Sequence, residues 1–304
     1  AQRHIVAEVG DDPNEISLEE ARKIDPRYEV DDIVETEVTP RNFGRIAAQN
    51  AKQVVVQRIR EAERGMVFEK FSSRENDIVT GIIQRMENKN VYIDLGKAEA
   101  ILTPNEQIPG EIYQYHDRMK TYIVEVKKTS KGPQIMVSRT HPGLLKRLFE
   151  LEVPEIHDGL VEIKSVAREP GMRSKISVYT KDENIDPVGA CVGHKGMRVQ
   201  TIVNELRGEK IDIVKYSSEP DQYVANALSP AKVVSTEVLE EEKICRVIVP
   251  DYQLSLAIGK EGQNARLAAK LTGWKIDIKS ESQAAEEAEQ GAQEVGVAYE
   301  ADED

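Results

Sequence analysis

The chain has 304 residues, of which 39% are hydrophobic and 31% charged, and its formal net charge at pH 7 is −13. This length allows two or three domains with substantial cores. No apolar run approaches the roughly 20 residues that cross a bilayer, and no secretory signal opens the chain, so we predict a soluble cytoplasmic protein without a membrane span. Cys191 and Cys245 lie in separate apolar stretches, and we expect both to be buried hydrophobic residues.

The negative charge is concentrated at the C-terminal end. Residues 281–304 include nine acidic and no basic residues, whereas residues 73–280 hold 30 of each sign. A nucleic-acid-binding surface in this neutral central part must therefore consist of local clusters of Lys and Arg. The acidic segment has no periodic apolar pattern, and we predict that residues 281–304 form a disordered tail. Such a tail either provides solubility or competes with RNA for basic surfaces.

Residues 1–72 carry the signals of a small mixed domain followed by a long helix. A strand-like run at residues 4–9 precedes a capping-box pattern at residues 17–20, which opens a short helix. Residues 28–39 alternate as a strand does, and residues 43–64 place apolar side chains at helical spacing. The first run follows directly on Ala1 without an initiator methionine, so we expect the sequence to come from a longer chain.

Residues 73–140 contain five short strand candidates separated by polar turns, at residues 77–84, 90–95, 98–102, 120–126 and 134–138. Short strands without a long helix predict a closed five-stranded barrel of the OB type.

The runs VYIDLG at residues 91–96 and IMVSR at residues 135–139 resemble the S1 RNA-binding domain, in which surface aromatic side chains stack on bases. This resemblance implies that Tyr92, Asp94 and Arg139 contact RNA. It departs from the family at Lys89, where an aromatic residue is usual, and at Thr103, where a histidine is usual. We therefore expect the barrel to bind RNA weakly or to act mainly as a rigid arm.

A pair of Gly-x-x-Gly sequences organises residues 141–280. The first, GHKG, occupies residues 193–196, and the second, GKEG, occupies residues 259–262. Each follows a strand and a short apolar helix, precedes a helix closed by a glycine, and leads to the same tetrapeptide, KIDI, at residues 210–213 and 275–278. One such sequence is a weak signal, but the shared frame at an offset of 66 residues indicates a duplicated domain. Two ordinary helix hairpins are the alternative.

Glycines at both ends of a turn let a nucleic-acid backbone approach, and the N-terminus of the following helix favours a phosphate there. This pattern resembles the K-homology (KH) domain, whose loop clamps about four single-stranded nucleotides, and the order of elements is that of the prokaryotic (type II) fold. The resemblance implies an RNA-binding set in each copy: Gly193, His194, Lys195, Gly196 and Arg198, and Gly259, Lys260, Glu261, Gly262, Asn264 and Arg266. Because Glu261 repels a phosphate unless it points outward, we expect the first loop to bind at least as well as the second.

The whole layout resembles the NusA family of bacterial transcription termination/antitermination factors. The resemblance rests on the barrel, the two KH domains and four runs: RIAAQ at 45–49, SRTHPGLLK at 138–146, EPGMRSKIS at 169–177 and VPDYQLSLAIG at 249–259. It implies a multidomain α+β protein. The domains are a partial α/β N-terminal domain with a long linker helix at 1–72, an S1 barrel at 73–140, KH domains at 141–228 and 229–280, and the tail at 281–304.

By the same resemblance, the protein associates with RNA polymerase through its N-terminal domain and with nascent single-stranded RNA along the S1–KH–KH surface. It is expected to modulate pausing, intrinsic termination and antitermination together with other such factors, as a cytoplasmic monomer. Because this family places further helices ahead of the position of Ala1, we expect the N-terminal domain to be partial in this sequence and its polymerase-binding surface to be incomplete.

Two other classes use the same modules. A phosphorolytic exoribonuclease places KH before S1 behind two large catalytic domains, and neither feature is present here. The sequence contains no metal-ligand cluster, no nucleophile paired with an obvious base and no Walker loop, so we predict neither an enzyme nor a cofactor or metal site. A translation or ribosome-assembly adaptor remains open from composition alone.

Overall fold

The computed structural model describes residues 2–10, 12, 14–35, 43–287 and 289. The chain divides into two compact units, residues 1–63 and residues 64–304. Among the described residues, every helix is too short or too polar to cross a bilayer.

The N-terminal unit contains a three-stranded sheet with the order β2-β1-β3. Its elements are β1 (Gln2–Val6), β2 (Glu15–Ser17), α1 (Leu18–Ile24) and β3 (Ile33–Glu35). Ser17 caps α1 by accepting a hydrogen bond from the backbone N–H of Glu20, as the capping-box pattern predicts. The strand predicted at 28–39 begins only at Ile33, because a turn with Asp31 at φ 77° precedes it, and residues 36–39 lie outside the described residues.

Helix α2 (Phe43–Ser72) has 30 residues and extends beyond the predicted end at residue 64. Its last turns lie in the second unit, where Phe71 is buried in the core of the barrel and Val67 and Phe68 pack against that core. The apolar stripe of its first part is exposed, including Ile46 and Val54.

The predicted five-stranded barrel is present and closed, with the order β4-β5-β6-β8-β7. Its strands are β4 (Ile78–Glu87), β5 (Asn90–Asp94), β6 (Glu99–Leu102), β7 (Arg118–Thr129) and β8 (Gly132–Ser138). Alternate residues point inward, and Ile83, Ile93, Ile123 and Ile135 are fully buried.

The first KH unit places its helices beside a three-stranded sheet with the order β11-β10-β9. Its elements are α3 (Pro142–Glu152), α4 (Pro154–His157), β9 (Glu162–Glu169), β10 (Arg173–Tyr179), α5 (Pro187–Val192), α6 (Met197–Glu205) and β11 (Lys210–Lys215). Strand β10 pairs antiparallel with β9 and parallel with β11.

The second KH unit repeats this pairing, with the order β12-β13-β14. Its elements are α7 (Pro220–Ala227), β12 (Ser235–Leu239), β13 (Ile244–Val249), α8 (Leu254–Ile258), α9 (Gln263–Thr272) and β14 (Lys275–Ser280). The sequence placed residues up to 228 in the first KH domain, but Tyr223 and Val224 of α7 are buried in the core of the second. The sequence pattern of an apolar helix between two domains is compatible with packing against the core of either domain.

The two KH units share an apolar interface. Ala167 of β9 and Val214 of β11 contribute to the core of the second KH unit, beside Leu267 and Ala268 of α9. This contact fixes the relative position of the two units, as the short apolar join suggests.

Both cysteines are buried, one in each KH core. Burial raises the pKa of the Cys191 thiol to about 12 and also raises that of the Cys245 thiol. Both behave as the small hydrophobic residues that the sequence predicts.

The start of the predicted disordered tail is helical, which corrects the prediction for residues 281–287. Ser282 donates a hydrogen bond to the Asp251 carboxylate (2.8 Å), and Lys279 forms an ion pair with Glu287. These contacts come from residues outside the segment, so its own composition does not reveal them. The rest of the predicted tail, except residue 289, lies outside the described residues.

Candidate nucleic-acid interface

The two Gly-x-x-Gly loops have the same backbone conformation. We call residues 193–196 the first loop and residues 259–262 the second loop. The opening glycines have φ 72° and 78° with ψ near 180°, and the closing glycines have φ 77° and 75° in the left-handed region. The third residue of each loop, Lys195 or Glu261, is also left-handed, with φ 52° and 53°.

The opening glycine of each loop is required by close packing. A Cβ atom on Gly193 would lie 2.6 Å from Cγ of Arg198, and one on Gly259 would lie 2.8 Å from the backbone nitrogen of Asn264. By contrast, a Cβ atom on Gly196 or Gly262 would meet no heavy atom within 4 Å. The closing glycines therefore face open space, where another backbone can approach.

Each loop presents exposed side chains beside a helix N-terminus. His194 and Lys195 are exposed in the first loop, and Lys260 and Glu261 are exposed in the second. Helices α6 and α9 begin directly after the loops, and within the described residues no side chain caps either of them. Their first amides and the helix dipole favour an anion at both positions, but Glu261 makes the second loop less positive than the first.

Arg198 and Asn264 occupy equivalent positions and support the loops from inside the protein. Nη1 of Arg198 donates to the carbonyl oxygen of Ala190 (2.6 Å) and to the Glu155 carboxylate (2.9 Å). Nδ2 of Asn264 donates to the carbonyl oxygens of Leu228 and Ala257, both at 3.0 Å.

Asn264 is only 4% exposed, so its side chain lies inside the protein and not at the surface where the sequence predicts an RNA contact. Arg198 is half-buried and its Nη1 is held by Ala190 and Glu155, which also disagrees with a direct phosphate contact. Both side chains instead bind carbonyl groups near the end of the helix before each loop.

Arg266 is held by the neighbouring KH unit. Its Nε donates to the Glu169 carboxylate (2.7 Å) and its Nη1 donates to the carbonyl oxygen of Glu261 (3.2 Å). The Arg266 guanidinium holds the pKa of the Glu169 carboxyl below its usual range. Arg266, which the sequence predicts to contact RNA, is thus paired with an acidic residue of the same chain.

On the barrel, Tyr92 is half-buried and one of its faces is covered. The guanidinium of Arg85 lies 3.9 Å from the ring centroid, and Arg85 is itself paired with Glu99 (2.8 Å) and Glu87 (3.0 Å). The carboxylate of Asp94 accepts a hydrogen bond from the backbone N–H of Gly96 (2.8 Å) and so fixes the turn after β5.

Arg139 does not reach the surface of the barrel, where the sequence predicts that it contacts RNA. It is fully buried and donates to the Glu111 carboxylate (2.5 Å), to the carbonyl oxygen of Lys120 (2.9 Å) and to that of Glu205 (3.0 Å). A buried guanidinium needs such partners because desolvation of an unpaired charge is costly. Arg139 thereby links the barrel to the end of α6 in the first KH unit.

Comparison with known proteins agrees with this arrangement along the chain. Family models match a NusA N-terminal domain at residues 1–65, an S1 RNA-binding domain at 72–138, a NusA-like first KH domain at 139–216 and a NusA-like second KH domain at 220–286. A Halalkalibacterium halodurans protein named transcription termination/antitermination protein NusA is 70% identical over 286 residues, which are 94% of this chain and 75% of that protein.

The chain belongs to the NusA family.

NusA proteins of Bacillus subtilis and Thermus thermophilus are also similar. The first is 68% identical over 94% of this chain and 77% of that protein, and the second is 46% identical over 90% of this chain and 71% of that protein. The barrel, the two KH domains and the mixed α+β architecture predicted from sequence are those of this family.

Two charged residues of this NusA-family chain escaped the sequence analysis. Glu169 binds a loop-proximal arginine 97 positions away, and Arg85 covers Tyr92. Arg85 could have been found, since it lies opposite Tyr92 in the register of β4 and β5. Glu169 carries no local signal because its partners come from the other KH unit.

Proposed function

We propose that this chain binds single-stranded RNA through both Gly-x-x-Gly loops and acts as a transcription elongation factor on nascent RNA. One observation carries the RNA-binding part. Two loops with the same left-handed backbone, each opening an uncapped helix, are held in one block by the interface between the KH units. Such a pair provides two phosphate clamps in a fixed arrangement.

The RNA contacts that we retain are those the loops expose. Gly193, His194, Lys195 and Gly196 form the first clamp, and Gly259, Lys260 and Gly262 form the second, while Glu261, whose charge repels a phosphate, is not counted as a phosphate contact. Tyr92 and Asp94 form at most a weak subsite because Arg85 covers the tyrosine ring and Gly96 occupies the carboxylate.

The assignment to transcription is supported by the names of the family's members. Their shared name, transcription termination/antitermination protein, leads us to propose RNA polymerase and other termination or antitermination factors as partners. In this proposal the chain is a cytoplasmic monomer without catalytic activity, and it modulates pausing, intrinsic termination and antitermination by holding emerging RNA.

A binding titration tests the RNA part. Labelled RNA of about twelve nucleotides, three times the length that one KH loop clamps, is titrated with the chain as a single strand and as a duplex. Single strands should bind much more tightly. The logarithm of affinity should fall with the logarithm of salt at about −0.7 for each of a few phosphate contacts. Equal binding to both forms would contradict the proposal.

Loop variants locate the contact. His194→Asp with Lys195→Asp, and separately Lys260→Asp, place negative charge at the clamps without touching a buried residue. Lys131→Asp in the exposed turn between β7 and β8 is a control with the same charge change as Lys260→Asp. We expect the loop variants to lose affinity and Lys131→Asp to retain it. If all lose affinity equally, binding is a general effect of charge.

A transcription assay tests the second part. RNA polymerase is supplied with a template that carries an intrinsic terminator, and the fraction of terminated transcripts is measured with and without the chain. We expect the chain to change this fraction and the loop variants to reduce the change. RNA binding without any effect on transcription would favour a translation or ribosome-assembly adaptor.

A further inference from the structure

Glu169 joins the first KH unit to the residues that follow the second loop. It is the last residue of β9, and its carboxylate accepts hydrogen bonds from Nε of Arg266 (2.7 Å) and Nε2 of Gln263 (2.8 Å). Gln263 is the first residue of α9 and directly follows Gly262. One carboxylate therefore holds two side chains at the base of the second loop.

Arg266 carries this connection into the loop itself. While its Nε faces Glu169, its Nη1 donates to the carbonyl oxygen of Glu261. Glu261 is the non-glycine residue of this loop that has a left-handed backbone. A non-glycine residue in that conformation costs about 1 kcal/mol or more and needs surrounding contacts to persist. The guanidinium bond to its carbonyl is such a contact, and Glu169 orients the guanidinium.

The first loop has a different arrangement. The position equivalent to Arg266 is Gln200, whose amide donates to Asn204 on the same helix (2.9 Å). In the described part of the chain, the side chain at this position is therefore held by the other KH unit at the second loop, through Arg266, and by its own helix at the first loop, through Gln200.

Burial and charge favour a fixed role for the pair. The side chain of Glu169 is 16% exposed and that of Arg266 is 48% exposed, so the carboxylate is largely shielded from water while the guanidinium is about half exposed. The carboxylate offsets the positive charge of Arg266 and occupies its Nε. Arg266 is therefore better placed to orient the loop than to neutralise a phosphate.

We propose that Glu169 of the first KH unit is a positioning residue for the second RNA loop and acts through Arg266. This inference rests on the proposed RNA binding. It makes the phosphate clamp of the second KH unit depend on its packing against the first. An RNA strand held by the second loop then stabilises the contact between the units, because binding and packing require the same side-chain geometry.

The sign of one mutation distinguishes this role from simple competition. If Glu169 only sequesters an arginine that would otherwise bind phosphate, Glu169→Gln frees the arginine and raises the affinity for RNA. If Glu169 orients the loop, the same change releases Arg266 and the loop must be ordered again on binding. We then expect a loss of about three- to tenfold, the cost of ordering one or two side chains.

The experiment measures the affinity of the full chain for a single strand of about twelve nucleotides, long enough to occupy two KH loops. The variants are Glu169→Gln, Arg266→Gln, their combination, and Lys260→Gln. We expect the combination to be no weaker than either single variant, since both changes break one connection. The salt dependence should be unchanged in Glu169→Gln and Arg266→Gln, whereas Lys260→Gln should lose about 0.7 of the slope.

Two further measurements separate positioning from loss of fold. In a Lys260→Asp background, where the second loop no longer binds, Glu169→Gln should have no additional effect. In the absence of RNA, Glu169→Gln should shift the backbone amide NMR signals of residues 259–262 and leave those of residues 193–196 in place. Denaturation midpoints of the variants show whether the KH fold is retained.

The inference is overturned if Glu169→Gln binds RNA as tightly as the unmodified chain or more tightly. It is equally overturned if Arg266→Gln reduces the salt slope as Lys260→Gln does, or if the loop amides do not move. If the unmodified chain fails to bind single-stranded RNA, it is the proposed function that fails, and the amide shifts still report whether Glu169 orients the loop.

Discussion

The two glycines of each loop meet different constraints. Gly259 has φ 78° with ψ 171°, and a Cβ atom added to it would lie 2.8 Å from the backbone nitrogen of Asn264, whereas Gly262 is left-handed but faces open space. Backbone atoms cannot rotate away as the end of a long side chain can. The first glycine is thus needed to form the loop, and the second leaves room for a ligand.

Alanine substitutions test this difference. Gly259→Ala should lower the free energy of unfolding of the second KH unit by about 2–4 kcal/mol, because it adds a steric clash to the strain of a positive φ with extended ψ. Gly262→Ala should cost only about 1–2 kcal/mol. The single tryptophan, Trp274, packs against this core, so its fluorescence during urea denaturation reports the transition. Equal losses would show that the clash relaxes freely.

At the same scale, sequence reasoning identified the residue types of the loops but not which side chains are buried. The glycines, His194, Lys195 and Lys260 were found because their spacing is local. The burial of Arg139 and Asn264 was not predicted because it depends on internal partners that the local sequence does not mark, such as the carbonyl oxygens of Glu205 for Arg139 and of Leu228 for Asn264. A polar side chain near a motif is equally compatible with a ligand contact and with an internal hydrogen bond.

At the scale of elements, α3 begins at an unusual cap. Nδ1 of His141 accepts a hydrogen bond from the backbone N–H of Gly143 (3.0 Å), and its ring stacks on Tyr122 at a centroid distance of 4.5 Å. Only a neutral imidazole can accept this bond. Burial lowers the pKa of His141 relative to its usual value.

This cap predicts a pH dependence of stability. Because the pKa of His141 is lower in the folded chain than in the unfolded chain, its contribution is complete above the unfolded value of about 6.5 and is lost as pH falls below it. We expect a loss of about 0.5–1 kcal/mol, the lower part of the range for a helix cap, since the ring is partly exposed. Urea denaturation between pH 7.5 and 5 measures it.

His141→Asn is the matched control because asparagine also caps helices but does not titrate in this range. The difference in the free energy of unfolding between the two proteins should change with pH. A constant difference would mean that His141 does not titrate with folding.

The elements themselves were largely predictable, since strand alternation and helical spacing are local patterns. The five barrel strands and the duplicated KH order follow from them, whereas α7 was assigned to the wrong core. Its apolar face packs against Leu271 and Val247 of the second KH unit. Only the tertiary arrangement determines which of the two KH cores this helix covers.

At the scale of the whole compact unit of residues 64–304, a buried charge cluster joins the barrel to the first KH unit. Arg139 and Glu111 are almost fully buried and form its centre, and Glu205 of α6 and the partly exposed Arg207 also belong to it. Arg139→Met leaves the buried Glu111 carboxylate with Arg207 as its cation, at the longer distance of 3.4 Å, so it should destabilise the unit by about 3 kcal/mol, the lower end of the range for a broken buried pair.

Replacing both charges is the control for this prediction. Arg139→Met combined with Glu111→Leu should recover much of the stability, because Glu205 keeps its ion pair with Lys120 and Arg207 keeps its ion pair with Asp117. RNA affinity of the folded protein should be the same in all three proteins, measured at a temperature below the first transition. A loss of RNA affinity in the folded double variant would indicate that Arg139 contacts RNA.

The two KH units are proposed to present one continuous RNA track. Their shared core fixes the distance between the loops, so a strand bound at one loop meets the other already positioned, and the second contact costs little additional entropy. Each loop holds about four nucleotides, so the combined site spans roughly eight or more.

Titration of RNAs of different length tests this claim most directly. A strand of about twelve nucleotides and one of about four are each titrated against the unmodified chain, the His194→Asp, Lys195→Asp variant and the Lys260→Asp variant. A continuous track predicts that either loop variant loses most of the affinity for the long strand. It also predicts a much smaller loss for the short strand, which can bind at the intact loop. Equal losses on the two lengths would contradict it and show that the loops bind RNA independently.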